Sequence, residues 1–563
     1  MAPDSSLGFA PADWLLLLLT AIFIATGFAW RPRMQRGFTD LSQRTRLCLI
    51  LLFCLPILLR LLLLNHHPVP SPAIYDEFSH LLEADTLIHG RFANPPHPMH
   101  RFFETFFVLQ EPSYSSIYPL GQGLMLAFGR LISGLPWTGV LICSGTLCAG
   151  CYWMLRGWVP PNWALLGGLL AVAMFGPLCL WTNSYWGGSF AATGGCLAFG
   201  ALPRICDHFR LRDGVLLGVG FGMHVLSRQF ESLLLLASIS LFFLPVLFKR
   251  EERARALRPL SLACLTALPL VPLILLQNKA VTGCWTILPE QWSQYQYGVP
   301  TSLTIEPTPR THAALTPQQE LDYQAQTLTH GVGTDSIRRF LLRLEFRVRD
   351  YRFFFLPPLY IAIPAFFFGF RNRWFWWVAL TLAIFALGTN LFPYLLVHYL
   401  AAVTCLFMLV SVTGLQQIAK LRVHGATVGL EVAGMLIVLC LAEFSSWYVM
   451  HLFESSTLYA IMQFETWDSI SHTNLNRRLE VAKELSTLGG PLLVFVRYSA
   501  HHPYQDEWVW NAADIDAAQV VFARDLGSGE DEKLKAYYPN RKVFLLEPDG
   551  EMPTLRPYSA GSR

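Results

Sequence analysis

The chain has 563 residues, of which 53% are hydrophobic and only 14% charged, with mean hydropathy +0.38 and formal charge +3. Soluble domains carry roughly 25% charged residues, so a wholly water-soluble protein is excluded. The arginines sit in short clusters between apolar runs rather than on one basic face, which excludes a nucleic-acid-binding surface and leaves membrane lipid as the expected surroundings.

A helix crossing a bilayer needs about 20 apolar residues, because its backbone polar groups must bond internally. Twelve stretches meet that description: 14–30, 46–64, 137–155, 163–182, 185–203, 214–228, 231–248, 259–277, 354–370, 374–391, 393–412 and 423–442. The stretch 14–30 has no basic region before it and no small-residue cleavage site after it, so it reads as a retained span rather than a signal peptide. The segment 118–135 is glycine-rich and carries Arg130; it predicts a helix lying at the interface. Basic clusters follow spans one, five and seven (Arg31 to Arg46, Arg204 to Arg212, Lys249 to Arg258) and precede spans ten and twelve (Arg371 and Arg373, Lys420 and Arg422). All fall on one side of an alternating bundle, which is then the cytoplasmic side. The loops 65–136 and 278–353 and the tail 443–563 would face the other compartment, the periplasm of a bacterium. The twelve cysteines lie in or beside spans, and the CxxC pair Cys148 and Cys151 is inside one, so they read as small apolar filler.

The first large loop contains "YDEFSHLLEADTLIHGRF", with helical spacing from Asp76 onward. Asp76 and Glu77 stand at the helix start, where free N–H groups favour negative charge. Asp76, His80 and Glu83 share one side at spacings of four and three. These acids can be simple helix-start residues, or a carboxylate held at the mouth of the bundle to deprotonate an acceptor or position a cation. Glu104 and Glu111 are further acids in the loop. His66, His67, His97 and His100 match no metal-ligand spacing and read as solvated loop residues.

Arg228 and Glu231 interrupt an apolar stretch, either as a local pair capping a hairpin or with Arg228 meeting a phosphate through its forked donors. Arg60, near the outward end of its span, is expected to snorkel to the interface. His398 and Tyr399, in "TNLFPYLLVHYLAAV", form a second polar interruption. Asn183, Tyr185 and Trp186 occupy a tight outward connection, where they line a sugar pocket or anchor the interface. In the second large loop, "GTDSIRRFLLRLEFRVRDYRFFF" predicts an amphipathic helix with Arg338, Arg339, Arg343, Arg347 and Arg349 available to lipid headgroups. Over 455–550, helix–strand alternation predicts a small α/β domain. Its segment "HHPYQDEWVWNAADID", with His501, His502, Asp506 and Glu507, reads as a loop packed on the bundle face or as a carbohydrate surface. No dinucleotide-binding glycine pattern, phosphate loop or nucleophile elbow occurs, so this domain is not expected to catalyse alone.

The sequence "YDEFSHLLEADTLIHGRF", then "YPLGQGLMLAFG", then a many-span bundle resembles bacterial membrane glycosyltransferases of the GT-C superfamily, near the protein O-mannosyltransferase and aminoarabinose transferase groups. The resemblance implies an all-α polytopic membrane bundle of about 12 spans over 1–442, with a small periplasmic α/β domain over 443–563. It implies inverting transfer of a sugar from a polyprenyl-phosphate carrier to an unidentified acceptor (glycan, lipid or protein). Asp76 would act as base with Glu77 beside it. His80, Glu83, Glu104, Glu111, Tyr118, Tyr185, Arg228, Glu231, His398 and Tyr399 would bind substrate or carrier. Arg, His or a divalent cation could meet the leaving phosphate, and no cofactor or metal site is assigned. Many relatives place a second acid in the next outward connection, but here that connection, "WTNSYWGGSFAA", has none. The alternative is a transporter or flippase for a lipid-linked saccharide, which would show internal repeats and charges near mid-bilayer; a non-enzymatic assembly protein would make Asp76 dispensable.

Overall fold

The computed structural model describes residues 36–298, 335–452, 475–503 and 506–558, with scattered positions in 14–26 and 303–323. The expected span 14–30 lies largely outside the described residues. Among the described residues, six helices are long and apolar enough to cross a bilayer: Thr45–Leu62, Trp137–Leu155, Gln229–Leu247, Arg250–Thr282, Val397–Ala419 and Val428–Leu452. A seventh crossing arises if Ile337–Phe354 and Pro357–Gly369, bent by 119°, count as one. The protein is thus an all-α polytopic bundle carrying a small C-terminal mixed sheet. Shorter helices, Pro161–Phe175, Leu211–Val225 and Arg373–Thr389, fill the bundle between the long ones.

Glycines let these helices approach closely. A Cβ on Gly194 would lie 2.6 Å from the carbonyl oxygen of Gly220, and one on Gly220 would lie 2.5 Å from that of Gly194, so Ser189–His208 and Leu211–Val225 meet backbone to backbone. The stretch 354–370, expected as one span but carrying Pro357, Pro358 and Pro364, is instead a run of short helical turns at Pro357–Ile361, Ala362–Phe366 and Phe367–Arg371.

Broken backbone inside the bundle frees carbonyl oxygens, and arginines meet them. Arg60 does not snorkel. It is 1% exposed; its Nε donates to Asn183 Oδ1 at 2.6 Å and its terminal nitrogens to the carbonyls of His67 and Pro68, each at 2.9 Å. Arg347 is likewise turned inward, onto the carbonyls of Thr389, Phe392 and Tyr394, and Arg343 binds the Asn390 carbonyl and Asp335. Of the arginines expected at headgroups, Arg338, Arg339 and Arg349 remain exposed on Ile337–Asp350.

The interfacial expectation at 118–135 corresponds to Leu120–Ser133. One of its faces, with Leu124, Phe128, Leu131 and Ile132, is exposed; the other packs on the acidic helix Tyr75–Ile88. The first large loop carries a short antiparallel pair, β1 (Val108–Leu109) and β2 (Ser115–Ser116); in the C-terminal domain, β3 (Leu492–Val496) is flanked by parallel β4 (Val520–Arg524) and β5 (Lys542–Glu547). β6 (Thr554–Pro557), not foreseen from the sequence, adds antiparallel to β5. The domain shares a core with the first large loop. Leu82, Phe102, Phe103, Val108 and Tyr114 pack with Leu493, Phe495, Val521, Leu534 and Leu545. The second large loop joins them: Leu109 and Ile117 cluster with Val281, Trp292 and Tyr297.

Arg60→Leu would strand three buried acceptors. It should lower unfolding stability by about 3 kcal/mol, read as a fall in thermal midpoint of the detergent-solubilised protein. Arg60→Lys should not restore it, since one ammonium cannot reproduce the fork.

Candidate active site

The acidic helix Tyr75–Ile88 starts after an extended residue, Ile74, and its first turn is organised by Glu77. The carboxylate of Glu77 reaches back to accept from the backbone N–H of Ala73 at 2.9 Å and of Ile74 at 3.4 Å. Its other oxygen accepts from the N–H of Tyr185 at 2.9 Å. Tyr185 is itself held, its hydroxyl on the Pro70 carbonyl and its own carbonyl accepting from Gln122 Nε2. Glu77 and Tyr185, both expected at the reacting centre, therefore tie the acidic helix to the connection 182–188, and the three N–H groups engage both Glu77 oxygens.

Asp76 is placed one residue before this anchor and stays partly exposed. It accepts a short hydrogen bond from the Tyr118 hydroxyl. Tyr118 precedes Pro119, the cap of Leu120–Ser133, so that helix sets its position; its ring stacks on His80 with centroids 4.3 Å apart. Desolvation pushes the Asp76 carboxyl up from 3.8 to about 6; hydrogen bonding from Tyr118 and Trp186 and the charge of Arg228 oppose the rise. Burial, with the charge of Arg228 adding to it, drives His80 down to about 3, so this imidazole is neutral. Behind it Glu83 accepts from Gln277 Nε2 at 3.2 Å, and burial holds its carboxyl well above the usual range. Gly123 leaves the room for Glu83: a Cβ there would lie 2.4 Å from Oε2.

The opposite wall comes from two helix ends. Arg228 caps Gln229–Leu247, pairs with Glu231 through Nε and Nη2, and stacks its guanidinium over the Tyr399 ring at 4.3 Å. His398 contacts the rings of Trp186 at 5.1 Å and Tyr399 at 4.9 Å, and its Nδ1 is buried without a hydrogen-bond partner. The structure thus gathers Asp76, His80, Tyr118, Trp186, Arg228, Glu231, His398 and Tyr399 from five separated stretches of chain. Two expected members are elsewhere. Glu111 has a side chain 56% exposed, with His100 Nε2 3.9 Å away. The backbone carbonyl of Glu104 accepts from Arg524 of the C-terminal domain. Among the described residues no group of three or more His, Cys, Asp or Glu could hold a metal.

Three participants were not singled out from the sequence. Gln277 donates to both Glu83 and the Tyr118 carbonyl, and it was hidden as the last residue of an expected span. Glu290, exposed in the first turn of Pro289–Tyr297, is close enough for its charge to act on Tyr118; proline followed by an acid at a helix start was its only signal. Trp292 ties the same helix to the Glu111 carbonyl at 3.3 Å.

No protein family matches the chain, and no curated protein sequence matches it. Among solved structures, the chain is similar to ArnT from Cupriavidus metallidurans bound to undecaprenyl phosphate, with 12% identity, 89% of this chain and 93% of that chain covered, and a TM-score of 0.50. The apo form of the same protein gives 12% identity and a TM-score of 0.48 over the same shares. The apo oligosaccharyltransferase of Archaeoglobus fulgidus gives 12% identity and 0.38, with 89% of this chain and 69% of that chain covered. At this identity the likeness to ArnT shows a shared fold, and the fold alone.

Because the folded protein holds the Asp76 proton more tightly than the unfolded chain, this group's contribution to stability falls as pH rises from 3.8 through about 6 and is lowest above that. Asp76→Asn, which keeps an acceptor for Tyr118, should therefore raise the thermal midpoint relative to wild type, and by more at pH 8 than at pH 5. An equal difference at both pH values would contradict the burial of this acid.

Proposed function

We propose that the protein is a membrane glycosyltransferase that moves a sugar from a polyprenyl-phosphate carrier to a hydroxyl acceptor, with Asp76 as general base. The observation that carries this reading is the partly exposed Asp76 carboxyl. It is poised near neutrality and oriented by Tyr118, beside a guanidinium held at a helix end. A base with that affinity for protons is ionised at neutral pH yet basic enough to take one. The acceptor hydroxyl gives its proton to Asp76 while its oxygen forms a bond to the anomeric carbon from the face opposite the phosphate. The bond from that carbon to the phosphate oxygen breaks, and the phosphate leaves with the electron pair, so the sugar inverts.

Arg228 meets the negative charge that develops on the leaving phosphate. Glu231 occupies its Nε and Nη2, leaving Nη1 for a phosphate oxygen, while Tyr399 fixes the guanidinium plane. An apolar groove of about 200 Å³, lined by Phe221, Gly222, Val225, Leu268, Leu270 and Ile274, runs beside the helix Leu211–Val225 that ends just before Arg228. It suits the hydrocarbon chain of a lipid carrier, and the fold is shared with a protein solved with undecaprenyl phosphate bound. Trp186 and His398 offer a flat wall and a polar atom to the sugar.

We further infer that the chain crosses the bacterial inner membrane about twelve times: the helices Pro161–Phe175, Ser189–His208, Leu211–Val225 and Arg373–Thr389, the bent pair Ile337–Phe354 with Pro357–Gly369 and the span expected from the sequence at 14–30 add to the six long ones. The site, the loops 65–136 and 278–353 and the domain over 443–563 would then face the periplasm, as the contacts among them favour.

The test is transfer by the purified full-length protein supplied with a panel of polyprenyl-phosphate sugars. Wild-type kcat should rise with pH through about 6 and level off, because the base must be ionised. Asp76→Asn should lose about 10²–10⁴-fold and lack that limb; equal transfer by both forms would overturn the assignment. Arg228→Gln should lower turnover by about 10²-fold, and Arg228→Lys should recover only part of it, since a point charge lacks the planar fork.

A further inference from the structure

The C-terminal domain meets the segment that leads into the acidic helix at the peptide of Ala73. Glu507 is 0% exposed, and its carboxylate gathers five donors: Tyr498 Oη at 2.5 Å, the N–H groups of Trp508 and Val509, Thr105 Oγ1 at 2.5 Å and Arg524 Nη2 at 3.0 Å. The backbone N–H of this same residue donates to the carbonyl of Ala73 at 3.1 Å, and Arg478 Nη2 donates to that carbonyl at 3.3 Å. On its other side, the N–H of Ala73 is taken by Glu77. Residue 73 is thus gripped from the domain through its carbonyl and from the acidic helix through its N–H, three residues before Asp76. Arg478 continues the grip, lying over the Phe78 ring at 5.1 Å and the Trp508 ring at 4.4 Å, while Trp510 packs on Phe78 at 5.5 Å. Further along the helix, the N–H of Ala513 donates to Asp85 at 2.7 Å.

We propose that Glu507 is a positioning residue for the transfer reaction: by fixing the loop that holds Ala73, it sets where the first turn of the acidic helix presents Asp76 to Tyr118 and Arg228. The C-terminal domain is then part of the catalytic assembly, acting through the backbone, with its own loop packed away from ligand. A carboxylate is needed at this point because every group that faces it is a donor. An amide would turn its NH₂ group toward one set of donors and break the hub. This inference rests on the transferase reading, and a small misplacement of a reacting group is enough to cost about 10²-fold in rate.

The experiment compares full-length wild type with Glu507→Gln and Arg478→Gln, with Lys533→Gln on the same domain as control. Hydrogen exchange over 73–80 reports the grip whether or not transfer is detected. Glu507→Gln should speed exchange there at least tenfold. It should also lower kcat about 10²-fold with KM for the carrier sugar unchanged, and move the limb near pH 6 as Tyr118 and Asp76 separate. Arg478→Gln, which leaves the carboxylate hub intact, should produce the same pattern at smaller size, and Lys533→Gln should match wild type. Unchanged exchange over 73–80 in folded Glu507→Gln would overturn the positioning role. So would a loss of thermal stability with kcat per folded molecule and the pH limb left as in wild type. Faster exchange in an otherwise intact protein that transfers no sugar even as wild type would support the grip and sink the transferase reading instead.

Discussion

The Glu77 carboxylate, buried among backbone N–H groups, is the contact on which the arrangement of the site depends. Its two oxygens bind Ala73 and Ile74 just before it and Tyr185 in the connection 182–188. A carboxylate shared between the start of one helix and a distant connection does two things. It satisfies N–H groups that a helix start would otherwise leave open, and it fixes the direction in which that helix starts relative to the bundle. Asp76, the preceding residue, inherits that direction. Burial raises both carboxyls, but Glu77 spends its oxygens on backbone N–H groups of the fold, whereas Asp76 meets the Tyr118 side chain and remains partly exposed.

The same economy of polar groups runs through the bundle. Irregular backbone at 177–188 and 389–397 would leave carbonyl oxygens without donors in an apolar setting. Asn183 supplies donors to the carbonyls of Pro177 and Cys179 and is itself held by Arg60, which also meets the carbonyls of His67 and Pro68; Arg347 serves those of Thr389, Phe392 and Tyr394. Arg228 is used differently: one edge is held by Glu231 and its face by Tyr399, so its position is set by two side chains rather than by carbonyls. That leaves the charge available beside Asp76 rather than consumed by the fold.

The C-terminal sheet is small, and part of its core is borrowed. Phe102, Phe103 and Tyr114 of the first large loop fill the face of β3 and β4 that its own residues leave open. In return the proline-rich stretch between that loop's helices Tyr75–Ile88 and Leu120–Ser133, which carries a two-residue strand pair (Val108–Leu109 with Ser115–Ser116), gains a rigid backing. Within 506–516, Glu507, Trp508 and Val509 are buried, and the Glu507 carboxylate takes a hydrogen bond from Thr105 of that loop.

By itself the sequence determined the polytopic helical bundle and the strands β3 to β5. Long apolar runs can satisfy their backbone only as helices in lipid, and the short runs rich in Val, Phe and Leu in "PLLVFVRY" and "RKVFLLEPDG", bounded by Gly and Pro, read as strands. It also singled out Asp76, Arg228 and His398 as polar groups out of place, because a charge beside an apolar run is visible without any contact map. What it could not decide was the use to which each polar group is put. Arg60, Arg228 and Arg347 look alike in sequence, as do Glu77, Glu83 and Glu507. Whether such a group faces carbonyls, N–H groups or an opening depends on residues over a hundred positions away, as Arg60 with Asn183 and Glu507 with Thr105 show. Only the tertiary structure brings those partners together, since hydrogen bonding is set by position within an ångström, and a single sequence records residue types rather than distances.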